Sequence, residues 1–109
     1  MKKVTLIALF LFAAALTSVR AADAKDNWEK NCSKCHGPDG KGDTKMGKKL
    51  NIRDYTDAKV QASFKDEEAI KVIKEGKKDK DDNTLMKAAE GLSDDEIKAL
   101  VAYVRAFKK

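Results

Sequence analysis

Two cysteines and a histidine stand together in the segment CSKCH at residues 32–36. They are the only cysteines and the only histidine among the 109 residues. The C-x-x-C-H spacing suits covalent haem attachment, because each thiol can add across one vinyl group while the next residue supplies an axial nitrogen to the iron. The motif therefore predicts one covalent c-type haem, with thioethers at Cys32 and Cys35 and His36 as the proximal ligand.

The opposite face of a haem iron needs another donor, and two methionines follow the histidine. Met46 lies ten residues past His36 in a glycine-rich stretch, whereas Met86 lies fifty residues past it. The chain must pass around the edge of the macrocycle to reach its far face, which fifty residues do more easily than ten. Met86 is therefore the predicted distal ligand, and Met46, a lysine or an open position are the alternatives.

Residues 1–22 are typical of a secretory signal peptide. Lys2 and Lys3 precede an apolar run that extends from Val4 to Leu16, and small residues follow it. The run is shorter than the ~20 residues that span a bilayer, which makes a retained membrane anchor the less favoured alternative. We therefore expect a periplasmic protein, cleaved near residue 22, with one domain over residues 23–109 and no membrane span in the mature form.

The charge balance changes when this segment is removed. The whole chain carries a net charge of +5, and loss of Lys2, Lys3 and Arg20 with no acidic residue leaves +2. A charge-mixed chain of this kind gives little electrostatic support for nucleic-acid binding. Only five aromatic residues remain, so we expect the core to depend on a disulfide, a metal or a cofactor.

Other uses of the two thiols compete with haem attachment. A Cys32–Cys35 disulfide is compatible with export. A thioredoxin-like redox site is expected beside βαβ units, which the sequence pattern does not predict. A zinc ion would need a fourth ligand, and the chain has no further cysteine or histidine to supply it.

The first half of the remaining chain is predicted as one helix and one long loop. A helix over about 24–33 places Trp28 and Cys32, four residues apart, on one face. Residues 36–49 contain four glycines and the only proline, which is typical of a loop. The motif therefore lies where the helix meets this loop.

The second half is predicted to contain two helices. One spans 66–75, with Ser63 or Asp66 as its cap and Gly76 ending it, before a charged loop over 77–84. The other opens with a capping box in the sequence SDDE and carries an apolar stripe. The box and stripe residues are Ser93, Glu96, Ile97, Leu100, Val101 and Val104, with Tyr103 and Phe107 widening the stripe. The pattern indicates an all-α chain without strands.

These motifs resemble the small monohaem class I cytochromes c of bacteria over essentially all of residues 23–109. The resemblance rests on Trp28 ahead of the motif, on CSKCHGPDGKGD and TLMK, and on GLSDDEIKALVAYVRAFKK at the end. It implies an all-α fold in which the N- and C-terminal helices pack together around one covalent haem. By position it implies thioethers at Cys32 and Cys35, a proximal ligand at His36 and a distal ligand at Met86.

The resemblance also carries two details of packing. Trp28 resembles the aromatic residue of the first helix that meets Leu100 and Tyr103 of the last. Many relatives have a Gly-Pro pair whose proline carbonyl accepts the proximal imidazole N–H, whereas Gly47-Lys48 stands at the comparable place here. A lysine carbonyl is then the candidate acceptor.

The function implied is that of a soluble electron carrier, not an enzyme. A histidine–methionine pair saturates the iron, and the soft thioether favours Fe(II) over Fe(III). An open iron face would instead indicate a haem enzyme or a gas sensor, and a colourless chain a small disulfide-bearing binding protein. Arg53 and Tyr55 are candidate partners for the haem propionates, which the resemblance does not assign.

The expected partners are redox proteins that donate or accept electrons, and we expect a monomer. Residues 34–49 carry a local charge of +3 and residues 77–87 a local charge of +1. By the resemblance, both segments border the exposed haem edge. This lysine-rich surround would steer an acidic redox partner, although an ordinary solvated lysine surface is the alternative.

Overall fold

The computed structural model describes residues 21–109. The predicted signal peptide therefore lies outside the described residues, apart from its last two positions. The described chain is helix-rich, as the predicted all-α class requires, but the expected absence of strands is wrong, because it contains one small hairpin. Its elements are α1 (Ala21–Asn31), α2 (Ser33–His36), α3 (Lys45–Leu50), α4 (Ala58–Ala62), α5 (Asp66–Glu75), β1 (Lys77–Lys78), β2 (Thr84–Met86) and α6 (Asp94–Arg105).

The first and last helices, α1 and α6, pack against each other and form the core. Trp28 is 2% exposed and Leu100 is completely buried. The ring centroids of Trp28 and Tyr103 lie 5.8 Å apart, so the predicted docking of the terminal helices is confirmed. The core residues are Trp28, Cys32, Ile73, Ile97, Leu100, Val101 and Val104, which include the whole predicted stripe of α6.

Helix α6 begins at the capping box that its sequence predicts. The Ser93 hydroxyl accepts the Glu96 N–H at 3.1 Å, and the Glu96 carboxylate accepts the Ser93 N–H at 2.9 Å. These bonds also keep the pKa of the Glu96 carboxyl below its usual range. The N–H groups of Ser93 and Glu96, at the exposed end of the helix, thereby each have a hydrogen-bond acceptor.

Helix α5 has the predicted bounds, but its predicted cap is wrong. Neither Ser63 nor Asp66 is the cap, because the cap residue is Lys65. The Lys65 N–H donates to the Glu68 carboxylate at 2.8 Å, which is the half of a capping box that the third helical residue supplies. Gly76 follows the last helical residue with φ +79°, as predicted.

Two segments predicted as loops contain regular structure. Helix α3 interrupts the glycine-rich stretch, where the Thr44 hydroxyl caps it by accepting the Gly47 N–H at 2.8 Å. The charged run forms β1 and its turn, and β1 pairs antiparallel with β2 through Lys77 opposite Met86. Each element is stabilised by contacts with another segment, α3 with α2 and β1 with β2, which local composition does not reveal.

A buried polar cluster joins the short helix α4 to α6. The Gln61 side chain, 5% exposed, donates to the carbonyls of Tyr55 and Val104 at 2.6 and 2.8 Å. Arg105 donates to the Phe64 carbonyl at 2.8 Å and lies over the Phe64 ring. These bonds satisfy buried backbone carbonyls and fix the segment that carries Tyr55 and Phe64.

Candidate haem site

A cavity of about 400 Å³ opens beside the core, within the size range of cofactor and ligand pockets. All four residues predicted to bind the haem line it, namely Cys32, Cys35, His36 and Met86. Its apolar wall includes Leu50, Ile52, Phe64, Val72, Leu100, Val101 and Val104. Met46 does not line the cavity, and its side chain is 40% exposed on α3.

The two cysteines reach the cavity because the chain makes a single helical turn between them. The N–H groups of Cys35 and His36 donate to the Cys32 carbonyl at 3.2 and 3.0 Å. The two thiols are not joined by a disulfide. Burial, with a smaller contribution from Cys35, raises the pKa of the Cys32 thiol to about 11. Redox-active thiol pairs have lowered pKa values instead, so this environment disfavours the thioredoxin-like alternative.

The His36 imidazole is held between two aromatic rings. The Tyr55 ring is stacked on it at a centroid distance of 5.4 Å, and the Trp28 ring lies 5.5 Å away. Burial lowers the pKa of His36, which favours the neutral imidazole that metal ions bind. Its Nδ1 atom is buried with no hydrogen-bond partner in residues 21–109.

The acceptor expected for this imidazole makes no hydrogen bond to it. The Lys48 carbonyl accepts the Asn51 N–H at 3.4 Å at the end of α3 and is not bonded to His36. A buried ring nitrogen without a protein partner is uncommon. This neutral imidazole, with two thiols and a thioether around one apolar cavity, forms a donor set that fits haem c.

Helix α3 packs against the C-x-x-C-H motif, and its cap residue is hydrogen-bonded to the motif. The sequence-based predictions did not include this role for residues 44–50. The Thr44 hydroxyl donates to the Cys35 carbonyl at 2.6 Å while accepting the Gly47 N–H. A Cβ atom on Gly47 would lie 2.7 Å from the same carbonyl oxygen, so only glycine permits this approach. Threonine before a short run of lysines is the N-cap signal that could have revealed this helix.

Residues of α5 and of the hairpin also line the cavity. Met86 ends β2 and is partly buried against the core cluster. Leu85, 37% exposed, and Lys77 line the cavity where it meets solvent. Arg53 and Tyr55, the propionate candidates, also line it, and Arg53 donates to the Ser63 hydroxyl at 3.1 Å.

Comparison with known proteins identifies the family. The model of the cytochrome c family matches residues 21–108. The chain belongs to the cytochrome c family. No curated protein matches this cytochrome. The solved structure of the KustC0563 c-type cytochrome is 39% identical with a TM-score of 0.69, covering 80% of this chain and 99% of that one. A tyrosine-to-phenylalanine mutant of Kustc0563 is 38% identical with a TM-score of 0.66, covering 79% and 99%.

Membership confirms the predicted fold and the broad function. Cytochromes c carry covalently bound haem c and exchange electrons with redox protein partners, so this cytochrome is a haem-based electron carrier. Between residues 21 and 109, no helix has the length and apolar character needed to cross a membrane.

Proposed function

We propose that this cytochrome is a periplasmic electron carrier with one haem, held covalently by Cys32 and Cys35 and ligated by His36 and Met86. One observation carries the proposal: these four residues line the same cavity of about 400 Å³, whereas Met46 does not. The bound haem supplies reversible one-electron exchange between Fe(II) and Fe(III).

Each residue contributes a separate property to this exchange. The two thioethers hold the cofactor in one orientation. His36 offers a neutral nitrogen, and the rings of Trp28 and Tyr55 restrict rotation of its imidazole. Met86 offers a soft sulfur that favours Fe(II) and so raises the reduction potential. If His36 and Met86 both bind the iron, no iron position would be left for oxygen or a substrate, which favours a carrier over an enzyme.

Electron exchange requires a partner to approach the cavity opening beside Leu85 and Lys77. The surrounding segments 34–49 and 77–87 have net positive charge, which favours an acidic partner. We expect the second-order rate with an acidic redox protein to fall as salt rises. A rate independent of ionic strength would indicate that the lysines are only solvated.

The proposed export to the periplasm depends on the signal peptide predicted over residues 1–22. Cell fractionation should recover the haem protein in the periplasm, and sequencing of its N-terminus should begin near residue 23. Membrane-bound protein that retains Met1 would show instead that the apolar segment is an anchor.

Visible absorption tests the ligand assignment directly. The purified protein should be six-coordinate and low-spin, with the weak sulfur-to-iron charge-transfer band in the far red. Met86→Ala should abolish that band, lower the reduction potential and admit carbon monoxide. Met46→Ala is the matched control and should change none of these. The reverse pattern would transfer the ligand role to Met46, and rapid carbon monoxide binding by the unmutated protein would favour the sensor or enzyme alternative.

A further inference from the structure

Gly76 lies at the junction between helix α5 and strand β1, and its backbone is unusual. Its φ of +79° and ψ of −174° fall in a region that is essentially restricted to glycine. A Cβ atom at this position would lie 2.6 Å from the Met86 carbonyl oxygen and 2.8 Å from the Ala88 nitrogen. Both are backbone atoms, which cannot rotate away as a side chain could. Any residue other than glycine must therefore displace the segment that carries Met86.

The same segment is fixed to α5 by backbone bonds. The Ala89 N–H donates to the Ile73 carbonyl at 2.8 Å. Lys77 pairs with Met86 across the hairpin. Ile73 is 8% exposed and belongs to the core, so the end of α5 is held in place by core packing. The backbone of Met86 thus rests on the helix end at a separation that glycine alone allows.

We propose that Gly76 is a positioning residue that determines how far the Met86 sulfur extends into the haem cavity. This inference rests on the proposed function, in which Met86 binds the iron. The bare backbone at residue 76 lets the Met86 carbonyl approach α5 closely. A methyl group there pushes residues 86–88 away from the helix, and the sulfur moves with them. The strength of distal ligation is therefore set at a residue that does not itself line the cavity.

Gly76→Ala in the haem-loaded protein tests this, with Gly91→Ala as its matched control. Gly91 also has a positive φ, +82°, but a Cβ atom there meets nothing within 4 Å. We expect Gly76→Ala to lose most of the charge-transfer band and to bind carbon monoxide at least tenfold faster. Gly91→Ala should lower the thermal midpoint while keeping the band and the slow carbon monoxide binding.

Met86→Ala, measured alongside, separates the two proposals. If Met86→Ala keeps the band, the ligand assignment itself is wrong. If Met86→Ala loses the band while Gly76→Ala retains it at parental intensity, the positioning role is overturned and the ligand assignment stands. Equal loss of the band in Gly76→Ala and Gly91→Ala would attribute the effect to backbone strain, and would also overturn the role.

A second variant serves if Gly76→Ala yields no folded holoprotein. One glycine inserted between Lys87 and Ala88 separates Met86 from the segment tied to Ile73 and adds no side chain at residue 76. We expect the far-ultraviolet circular dichroism to be retained and the band to be lost. A retained band at parental intensity would show that Met86 reaches its place without this attachment.

Discussion

The two sides of the haem cavity are held by different kinds of interaction. On the proximal side, side chains hold the motif: the Trp28 indole donates to the Gly37 carbonyl at 2.9 Å, and Thr44 donates to the Cys35 carbonyl. On the side of Met86, the proposed distal ligand, the segment is held by backbone contacts with α5 and β1. Damage on the proximal side should therefore lower the stability of the whole fold. Damage on the distal side should release the proposed ligand while the helices remain.

The largest effect is expected from removing both proximal anchors with Cys32→Ser and Cys35→Ser. The haem should be lost on acid–acetone extraction, and little folded protein should form, because the cavity lies directly beside a small core. Intact mass and circular dichroism measure the two outcomes. Lys34→Ser, exposed between the cysteines, is the control with normal yield. A haem-free variant that melts cooperatively with parental helicity would contradict this expectation.

Trp28→Ala should cost about 3–5 kcal/mol of unfolding free energy, because it removes a large core side chain and leaves a cavity. Guanidinium denaturation measures this loss. Trp28→Phe keeps a ring but removes one of the two hydrogen bonds that the Gly37 carbonyl accepts, the other coming from the Gly40 N–H, and the lost bond should cost about 0.5–1.5 kcal/mol. In the folded fraction of both variants the distal band should persist. Unchanged denaturation midpoints would be inconsistent with burial of Trp28.

Thr44→Val should cost about 1–2 kcal/mol, since it removes the cap of α3 and its bond to the Cys35 carbonyl. Thr44→Ser retains the hydroxyl and should behave as the parent. Thermal unfolding gives the stability, and visible absorption should show an unchanged distal band. Loss of that band in Thr44→Val with little loss of stability would remove the distinction between the two sides.

Asp79→Ala is expected to have the smallest effect on global stability. The Asp79 carboxylate closes the hairpin turn by accepting the N–H groups of Asp81 and Asn83, both at 2.9 Å. The variant should lose the distal band at lower denaturant concentration than the parent, with a nearly unchanged midpoint for the helices. Asp81→Ala, on the same exposed turn, is the control. Simultaneous loss of band and helix signal would contradict a separately released distal side.

The effect of Asp79 should depend on pH. Hydrogen bonds, chiefly from the Asn83 backbone, lower the pKa of Asp79 below its ordinary value of 3.8. A carboxyl group with a lowered folded-state pKa stabilises the fold above its unfolded-state pKa and ceases to do so as the pH falls through the folded-state value. The difference between the parent and Asp79→Ala should therefore be full at pH 7 and disappear in acid. A difference that persists below pH ~2 would exclude the ionised carboxylate as its cause.

The sequence was sufficient to predict a feature where residue type alone determines the chemistry of a motif or the period of an apolar stripe. The C-x-x-C-H spacing predicted the haem, and the apolar stripe predicted the buried face of α6. It was insufficient where a residue's role depends on a distant backbone atom. Gly47 was interpreted as a loop residue, although it lies in a helix and permits close contact with the Cys35 carbonyl. The charged segment that forms β1 has no alternating apolar pattern, so its sequence does not predict a strand. It is a strand because Lys77 pairs with Met86 of β2.

The site residues are predicted from the sequence by the same kind of reasoning, with the same limits. Ligand types limited the candidates to one histidine and two methionines, and chain length favoured Met86 over Met46. No sequence rule indicated that Tyr55 would stack on His36, or that the Lys48 carbonyl would be bonded elsewhere. The stacking depends on where the chain runs after α3, where the Tyr55 N–H donates to the Gly40 carbonyl at 2.8 Å. The Lys48 bond depends on how α3 ends at Asn51.

The docking of α1 against α6 has a consequence for the order of events during synthesis. Trp28 and Cys32 are made before Leu100 and Val104, which belong to the same core cluster. Until α6 has been made, α1 lacks the helix against which it packs. The burial that raises the pKa of Cys32 is therefore completed only when α6 docks. The rate at which an alkylating reagent modifies the cysteines of a chain that ends before Ser93 would measure how available they are before α6 is made.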